Sequence, residues 1–231
     1  RRNSQSAPAQ NRRGGRTKQY INPALFVQEA KVIEKKEYVP VNTFSDFPVH
    51  PIILSNVMAK GYEKPSPIQD QTIPLVLQGK DVVGIANTGT GKTAAFAIPM
   101  IHDLVTHMDH RVLILAPTRE LAQQIKDECL SFSKGCGIKI ALLIGGASMH
   151  LQKRDLAQNP RVIVGTPGRI RDHLRQKTLK LNSISFTVLD EVDRMLDMGF
   201  INDITDIFTN ISRNRQSLFF SATMEPTIAS L

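Results

Sequence analysis

Residues 86–93 read Ala-Asn-Thr-Gly-Thr-Gly-Lys-Thr and follow directly on the apolar run Val82-Val83-Gly84-Ile85. A buried strand that feeds a glycine turn and then a helix turns backbone N–H groups toward an anion. Gly89 and Gly91 permit the turn, Thr88 and Thr90 alternate with them, Lys92 adds a point charge for outer phosphates, and the Thr93 hydroxyl can ligate Mg²⁺. The expected ligand is a nucleoside triphosphate. Ala86 stands where the generic pattern has glycine, which the turn tolerates if Ala86 ends the strand. A second set, Asp190-Glu191-Val192-Asp193, follows the apolar run Phe186-Thr187-Val188-Leu189. Asp190 can hold a Mg²⁺ hydration shell, and Glu191 can orient or deprotonate an attacking water. Carboxylate runs are commonly solvated loop charges; the apolar strand in front of this one and the phosphate cradle upstream favour a site.

Such groups work only if the fold brings them together. From about residue 41 the chain alternates apolar runs with helical patterns, the signature of an α/β fold: a parallel sheet with helices on both faces. Strands are expected near Val82–Ala86, Val112–Ala116, Ile140–Ile144, Val162–Gly165, Thr187–Leu189 and Ser217–Ser221. Each ends in a polar or glycine cluster: Gly89–Thr93, Pro117–Glu120, Gly145-Gly146, Thr166–Arg169, Asp190–Asp193 and Ser221–Thr223. Ligands of open α/β sheets bind outside the carboxyl ends of the strands, so the six clusters should share one rim.

In this order, with Phe44 and the stretch Gly61-Tyr62-Glu63-Lys64-Pro65-Ser66-Pro67-Ile68-Gln69 ahead of them, the clusters resemble the first RecA-like lobe of DEAD-box RNA helicases over roughly residues 44–231. The resemblance implies a RecA-like P-loop domain over residues 39–231, ATP as the nucleotide and Mg²⁺ as its ion. It implies that Lys92, Asp190 and Glu191 serve catalysis, that Gln69 reads the adenine edge and that Phe44 stacks on the base. The other reading of Phe44 is an ordinary core phenylalanine, and Tyr62 is expected to be structural. It further implies that Thr118, Arg119, Gly145, Gly146, Thr166, Pro167, Gly168 and Arg169 grip an RNA backbone without reading bases. Ser221 and Thr223 would couple nucleotide state to that grip through Asp193. Two positions depart from the family pattern, Val192 for alanine and Ser66 for threonine; neither alters a charge.

No match to the second lobe follows Thr223, and that lobe would carry the arginines that complete the ATP site. Alone, the chain is expected to bind adenine nucleotide weakly and to hydrolyse it negligibly. The function implied is ATP-dependent remodelling or unwinding of RNA. The alternatives are an ATP-dependent RNA clamp with ribonucleoprotein partners and little unwinding, and a P-loop ATPase acting on DNA or protein, for which the Gln69 and Thr166–Arg169 stretches would have no evident use.

Composition narrows the remaining classes. With 41% hydrophobic and 22% charged residues and no apolar run of spanning length, a membrane role is not expected; the expected place is the cytoplasm, or the nucleus of a eukaryote. The spacing of Cys129 and Cys136, the only cysteines, suits neither zinc nor a redox pair. His102, His107 and His110 cluster without a recognisable cysteine or carboxylate pattern, and no metal is expected there. Net charge is +8, and six basic residues with no acid fall within residues 1–19. Residues 1–38 are therefore expected to comprise a basic disordered tail, either an electrostatic arm for nucleic acid or merely solvated, and a short helix near Ala24–Ile33.

Overall fold

The computed structural model describes residues 38–224. The expected basic tail and the helix near Ala24–Ile33 lie outside the described residues. All six strands form within one residue of their expected bounds: β1 (Val82–Ile85), β2 (Val112–Leu115), β3 (Ile140–Leu143), β4 (Val162–Gly165), β5 (Phe186–Leu189) and β6 (Gln216–Ser221). They pair in parallel in the order β1-β6-β5-β2-β4-β3. Between them run α3 (Lys92–Thr106), α4 (Arg119–Phe132), α5 (Met149–Ala157), α6 (Pro167–Arg175), α7 (Val192–Asp197) and α8 (Ile201–Thr209), preceded by α1 (Pro51–Ala59) and α2 (Pro67–Leu77).

The central strands β2, β4 and β5 are buried at every position, which is why they read as unbroken apolar runs. Their side chains alternate between two cores. Val112, Ile114, Val164 and Val188 pack with Phe96 and Ile101 of α3 and with Ile125 and Phe132 of α4. Leu113, Leu115, Ile163 and Leu189 pack with Ile170 of α6, Met195 of α7 and Ile204 of α8. Helices therefore cover both faces. Each such side chain contributes about 1.5–3 kcal/mol by leaving water.

One polar anchor lies outside this pattern. The buried Asp70 carboxylate on α2 accepts from the Tyr38 hydroxyl (2.7 Å), the Val41 N–H (2.8 Å), and the Asn42 N–H (3.1 Å) and side-chain amide (2.7 Å). These bonds strap residues 38–42 onto the helix that carries Gln69. Among the described residues no helix is long and apolar enough to cross a membrane.

Candidate functional site

The glycine turn after β1 has the backbone its sequence requires. Gly89 and Gly91 sit at φ 79° and 90°, and Gly91 caps α3, so Lys92 and Thr93 open the helix. At Gly91 a Cβ would collide with the Gln69 amide nitrogen as it now lies, so a substitution would both strain the backbone and displace that amide. A cavity of about 380 Å³ opens above the turn. Thr88, Gly89, Gly91, Lys92 and Thr93 line one side of it, and Asp190 and Glu191 line the other. The volume is within the usual range for a small-molecule site.

The chemistry inside this cavity is acidic and partly dry. Asp190 is 3% exposed, and burial pushes its carboxyl up to about 6 against the pull of the Lys92 ammonium. Among the described residues it accepts one hydrogen bond, from the Glu191 N–H on Oδ1 at 3.0 Å, and its other oxygen takes none. Thr93 is half-buried and lines the same cavity. A carboxylate oxygen and a hydroxyl lining one cavity are oxygen donors of the kind Mg²⁺ selects, so the residues fit that ion. The Lys92 ammonium donates to the Ala86 carbonyl at 2.8 Å. Glu191 holds a left-handed backbone (φ 54°, ψ 54°), which costs a non-glycine residue about 1–3 kcal/mol and sets its side chain at the cavity edge, where it pairs with Arg194 at 3.1 Å.

Several site residues take places other than those expected. Phe44 is 1% exposed and packs edge-on against Phe47 and Tyr62, with ring centroids 6.0 and 5.8 Å apart, so no face is free for a purine. It is a core residue. The aromatic on the cavity is Tyr62, whose hydroxyl donates to Glu128 at 3.0 Å and is pushed up to about 12, first by burial and then by that carboxylate. Gln69 is 3% exposed and turned to the chain: Nε2 donates to the Gly91 carbonyl (3.1 Å) and Oε1 accepts from the Ser66 N–H (2.9 Å). Its amide holds the phosphate loop instead of facing the cavity. Thr90 likewise staples the loop, donating to the Asn87 carbonyl at 2.8 Å. Ser66 donates to the Thr90 carbonyl at 2.8 Å, a bond that needs only the hydroxyl serine shares with threonine. Val192 is fully buried and packs in the second core.

Sequence reasoning missed Tyr62, Gln124 and Glu128 as cavity residues. Gln124 and Glu128 lie one turn apart on α4, but nothing in that spacing says which way the helix is rotated.

A second concavity, of about 510 Å³, lies farther along the rim. Thr118, Arg119, Gly145, Thr166, Gly168 and Arg169 line it, joined by the apolar Met198 and Phe200, which the sequence did not single out. Arg119 lies across the Gly145-Gly146 turn so closely that a Cβ on Gly146, at φ 77°, would overlap its guanidinium. Thr118 caps α4 by accepting from the Leu121 N–H (3.2 Å), whereas the Thr166 hydroxyl makes no cap bond. Arg169 donates to the Ala147 carbonyl at 3.1 Å, and its buried Nε has no hydrogen-bond partner. Pro167, expected to touch RNA, is buried at the first position of α6, where its missing N–H costs nothing.

Asp193, Ser221 and Thr223 do meet. Asp193 Oδ2 accepts from the Ala222 N–H (3.0 Å), the Thr223 N–H (3.1 Å) and the Thr223 hydroxyl (3.3 Å), and the Asp193 N–H donates to Ser221 Oγ (3.3 Å). Burial works against this charge, but the N–H groups of Arg194, Ala222 and Thr223 and the Ser221 hydroxyl outweigh it and hold the carboxyl below its ordinary value.

Residues 66–231 match the DEAD/DEAH box helicase family. The chain belongs to that family. It is 46% identical over 186 residues to the ATP-dependent RNA helicase CshA of Limosilactobacillus reuteri, an alignment covering 80% of this chain and 37% of the relative. To the ATP-dependent RNA helicase DeaD of Buchnera aphidicola subsp. Acyrthosiphon pisum it is 48% identical over 189 residues, 81% of this chain and 31% of the relative. The fold is similar to the crystal structure of a DEAD box protein from the hyperthermophile Methanococcus jannaschii, with a TM-score of 0.78 and 41% identity over 81% of this chain and 52% of that one. The RecA-like expectation for the sheet is thereby met. The chain spans about a third of the length of these curated DEAD-box relatives.

Proposed function

We propose that residues 39–231 form the ATP-binding lobe of an ATP-dependent RNA helicase that works with a second RecA-like lobe of the same protein. The observation that carries this reading is that Thr93 and Asp190, nearly a hundred residues apart, line one cavity beside a groove lined by Arg119 and Arg169.

In this reading the N–H groups of the Gly89–Thr93 turn cradle the phosphates, and Lys92 exchanges its bond to the Ala86 carbonyl for the outer phosphates. The face of Tyr62 offers the base an apolar surface. Thr93 and Asp190 would hold Mg²⁺, which when bound neutralises charge on the phosphates. Glu191 positions and deprotonates the attacking water. Thr118, Arg119, Gly145, Thr166, Gly168 and Arg169 hold a sugar-phosphate strand; hydroxyls, backbone N–H groups and guanidinium groups recognise backbone and leave sequence unread. Asp193 ties the wall that carries Asp190 to Ser221 and Thr223 at the end of β6, giving nucleotide occupancy a path to the rim.

The test joins this chain to its second lobe and measures RNA-stimulated ATP hydrolysis and duplex unwinding. Lys92→Ala should abolish nucleotide binding. Glu191→Gln should leave binding intact and lower turnover by about 10²–10⁴-fold. Turnover unaffected by Glu191→Gln removes the water-activating role. ATP-dependent RNA retention without unwinding would instead establish the clamp. Robust RNA-stimulated turnover by the 231-residue chain alone would contradict the need for a second lobe, whose arginines are worth roughly 10³–10⁵ in related reactions.

A further inference from the structure

At the amino ends of the strands, away from the rim, the fold gives the histidine cluster a carboxylate that no recognisable sequence pattern announced. Asp103 lies in the last turns of α3, and the chain between α3 and β2 folds back over it. Asp103 Oδ1 is 2.9 Å from His107 Nδ1, and Oδ2 is 2.8 Å from His110 Nδ1. The two imidazoles stack with centroids 4.5 Å apart and planes 21° from parallel. Their positions are fixed from the other side, because Arg161, just ahead of β4, donates to the carbonyls of both His107 and His110.

We propose that Asp103, His107 and His110 bind a divalent cation of the zinc class. One ligand atom from each lies within 4.8 Å of the others. Tetrahedral zinc with ligand bonds of about 2.0–2.1 Å sets its ligands about 3.3 Å apart. The two carboxylate-imidazole separations are already slightly shorter than that; for both Nδ1 lone pairs to meet one ion the stacked rings must open, a rotation available to side chains that are 24% to 54% exposed. Two imidazole nitrogens with one carboxylate suit Zn²⁺, Ni²⁺ or Cu²⁺, whereas Mg²⁺ and Ca²⁺ favour all-oxygen sets. Three protein ligands leave a further position for water. In the metal-free protein each Nδ1 faces a carboxylate oxygen; ligation moves any Nδ1 proton to Nε2 or to solvent. The nearby Arg161 charge opposes a dication, so the affinity is expected to fall below that of a closed structural site. Bound metal would pin the far end of α3, the helix whose first residues are Lys92 and Thr93, to the chain leading into β2.

The test uses the untagged 231-residue chain, stripped of metal and titrated with ZnCl₂ against a chromophoric chelator. One saturable equivalent is expected, undisturbed by millimolar Mg²⁺. His107→Ala/His110→Ala and, separately, Asp103→Asn should weaken uptake at least tenfold, with circular dichroism verifying the fold. His150→Ala, at an exposed histidine elsewhere, should leave uptake unchanged. Co²⁺ should bind without a thiolate charge-transfer band, which separates this cluster from Cys136. Absence of a saturable equivalent, uptake unchanged in the double variant, or a thiolate band would overturn the assignment.

Discussion

Asp190 shows how a single residue sets function against stability. Its carboxyl is raised to about 6 by burial, so the folded state holds the proton more tightly than the unfolded chain does. Below about pH 4 both states are protonated and the residue is neutral toward folding. As pH rises toward 6 the unfolded chain ionises first, and above that the buried charge costs the fold about 3 kcal/mol. Asp190→Asn should therefore raise the Tm of the nucleotide-free protein at pH 7.5, with the gain shrinking toward zero near pH 4, while destroying Mg²⁺-dependent nucleotide binding. Thermal melts across pH check both the sign and the window. The aromatic pair offers a contrast. Phe44→Ala, removing a fully packed ring, should cost about 3–5 kcal/mol of stability. Tyr62→Ala, at the edge of the cavity, should weaken nucleotide binding at a smaller stability cost. Equilibrium unfolding and nucleotide titration of the two variants distinguish core from site. The resemblance assigned Phe44 to the base and Tyr62 to structure, yet sequence alone could not say which ring turns inward, because that depends on how Phe132 of α4 packs against Tyr62.

Among the elements, the strands were legible because burial on both faces writes itself as four apolar residues in a row in β2 and β5. The helices that follow were legible from their polar starts. The strap of residues 38–42 was not: its partner Asp70 lies about thirty residues away, and one buried carboxylate meeting four donors leaves no periodic trace. Asp70→Ala removes the acceptor of all four, two of them backbone N–H groups, and a hydrogen bond to a charged group contributes about 1.5–3 kcal/mol net of its exchange with water. The expected result is faster proteolysis near Tyr38 and faster amide exchange at Val41 and Asn42, with the sheet unchanged. Hydrogen exchange resolved by residue would show it. The histidine cluster was hidden for the opposite reason: Asp103 is only four residues from His107, but the return of His110 depends on the chain bending between α3 and β2.

For the molecule as a whole, the two concavities share the rim at the carboxyl ends of the strands, so one surface presents the nucleotide wall and the guanidinium-lined groove together. Backbone recognition by cations makes affinity depend on salt, with each phosphate contact adding about 0.7 to the slope of log K against log salt for a single strand. In the two-lobed protein, Arg119→Ala and Arg169→Ala should each weaken RNA binding about equally across sequences and lower that slope by roughly one contact. Fluorescence anisotropy with unrelated single-stranded RNAs at several salt concentrations measures both. A strong sequence preference, or an unchanged slope, would remove these arginines from the phosphate-contacting set.

The Ser66 and Gln69 bonds to the carbonyls of Thr90 and Gly91 carry one more consequence. In a trans peptide plane the oxygen and the amide hydrogen point in opposite directions. Anchoring those two oxygens on α2 therefore aims the hydrogens of Gly91 and Lys92 away from the helix, toward the space an incoming anion would fill. The receptor's polarity would thus be set in part by bonds made to its own loop, and loosening α2 would blunt capture before any charged group is lost.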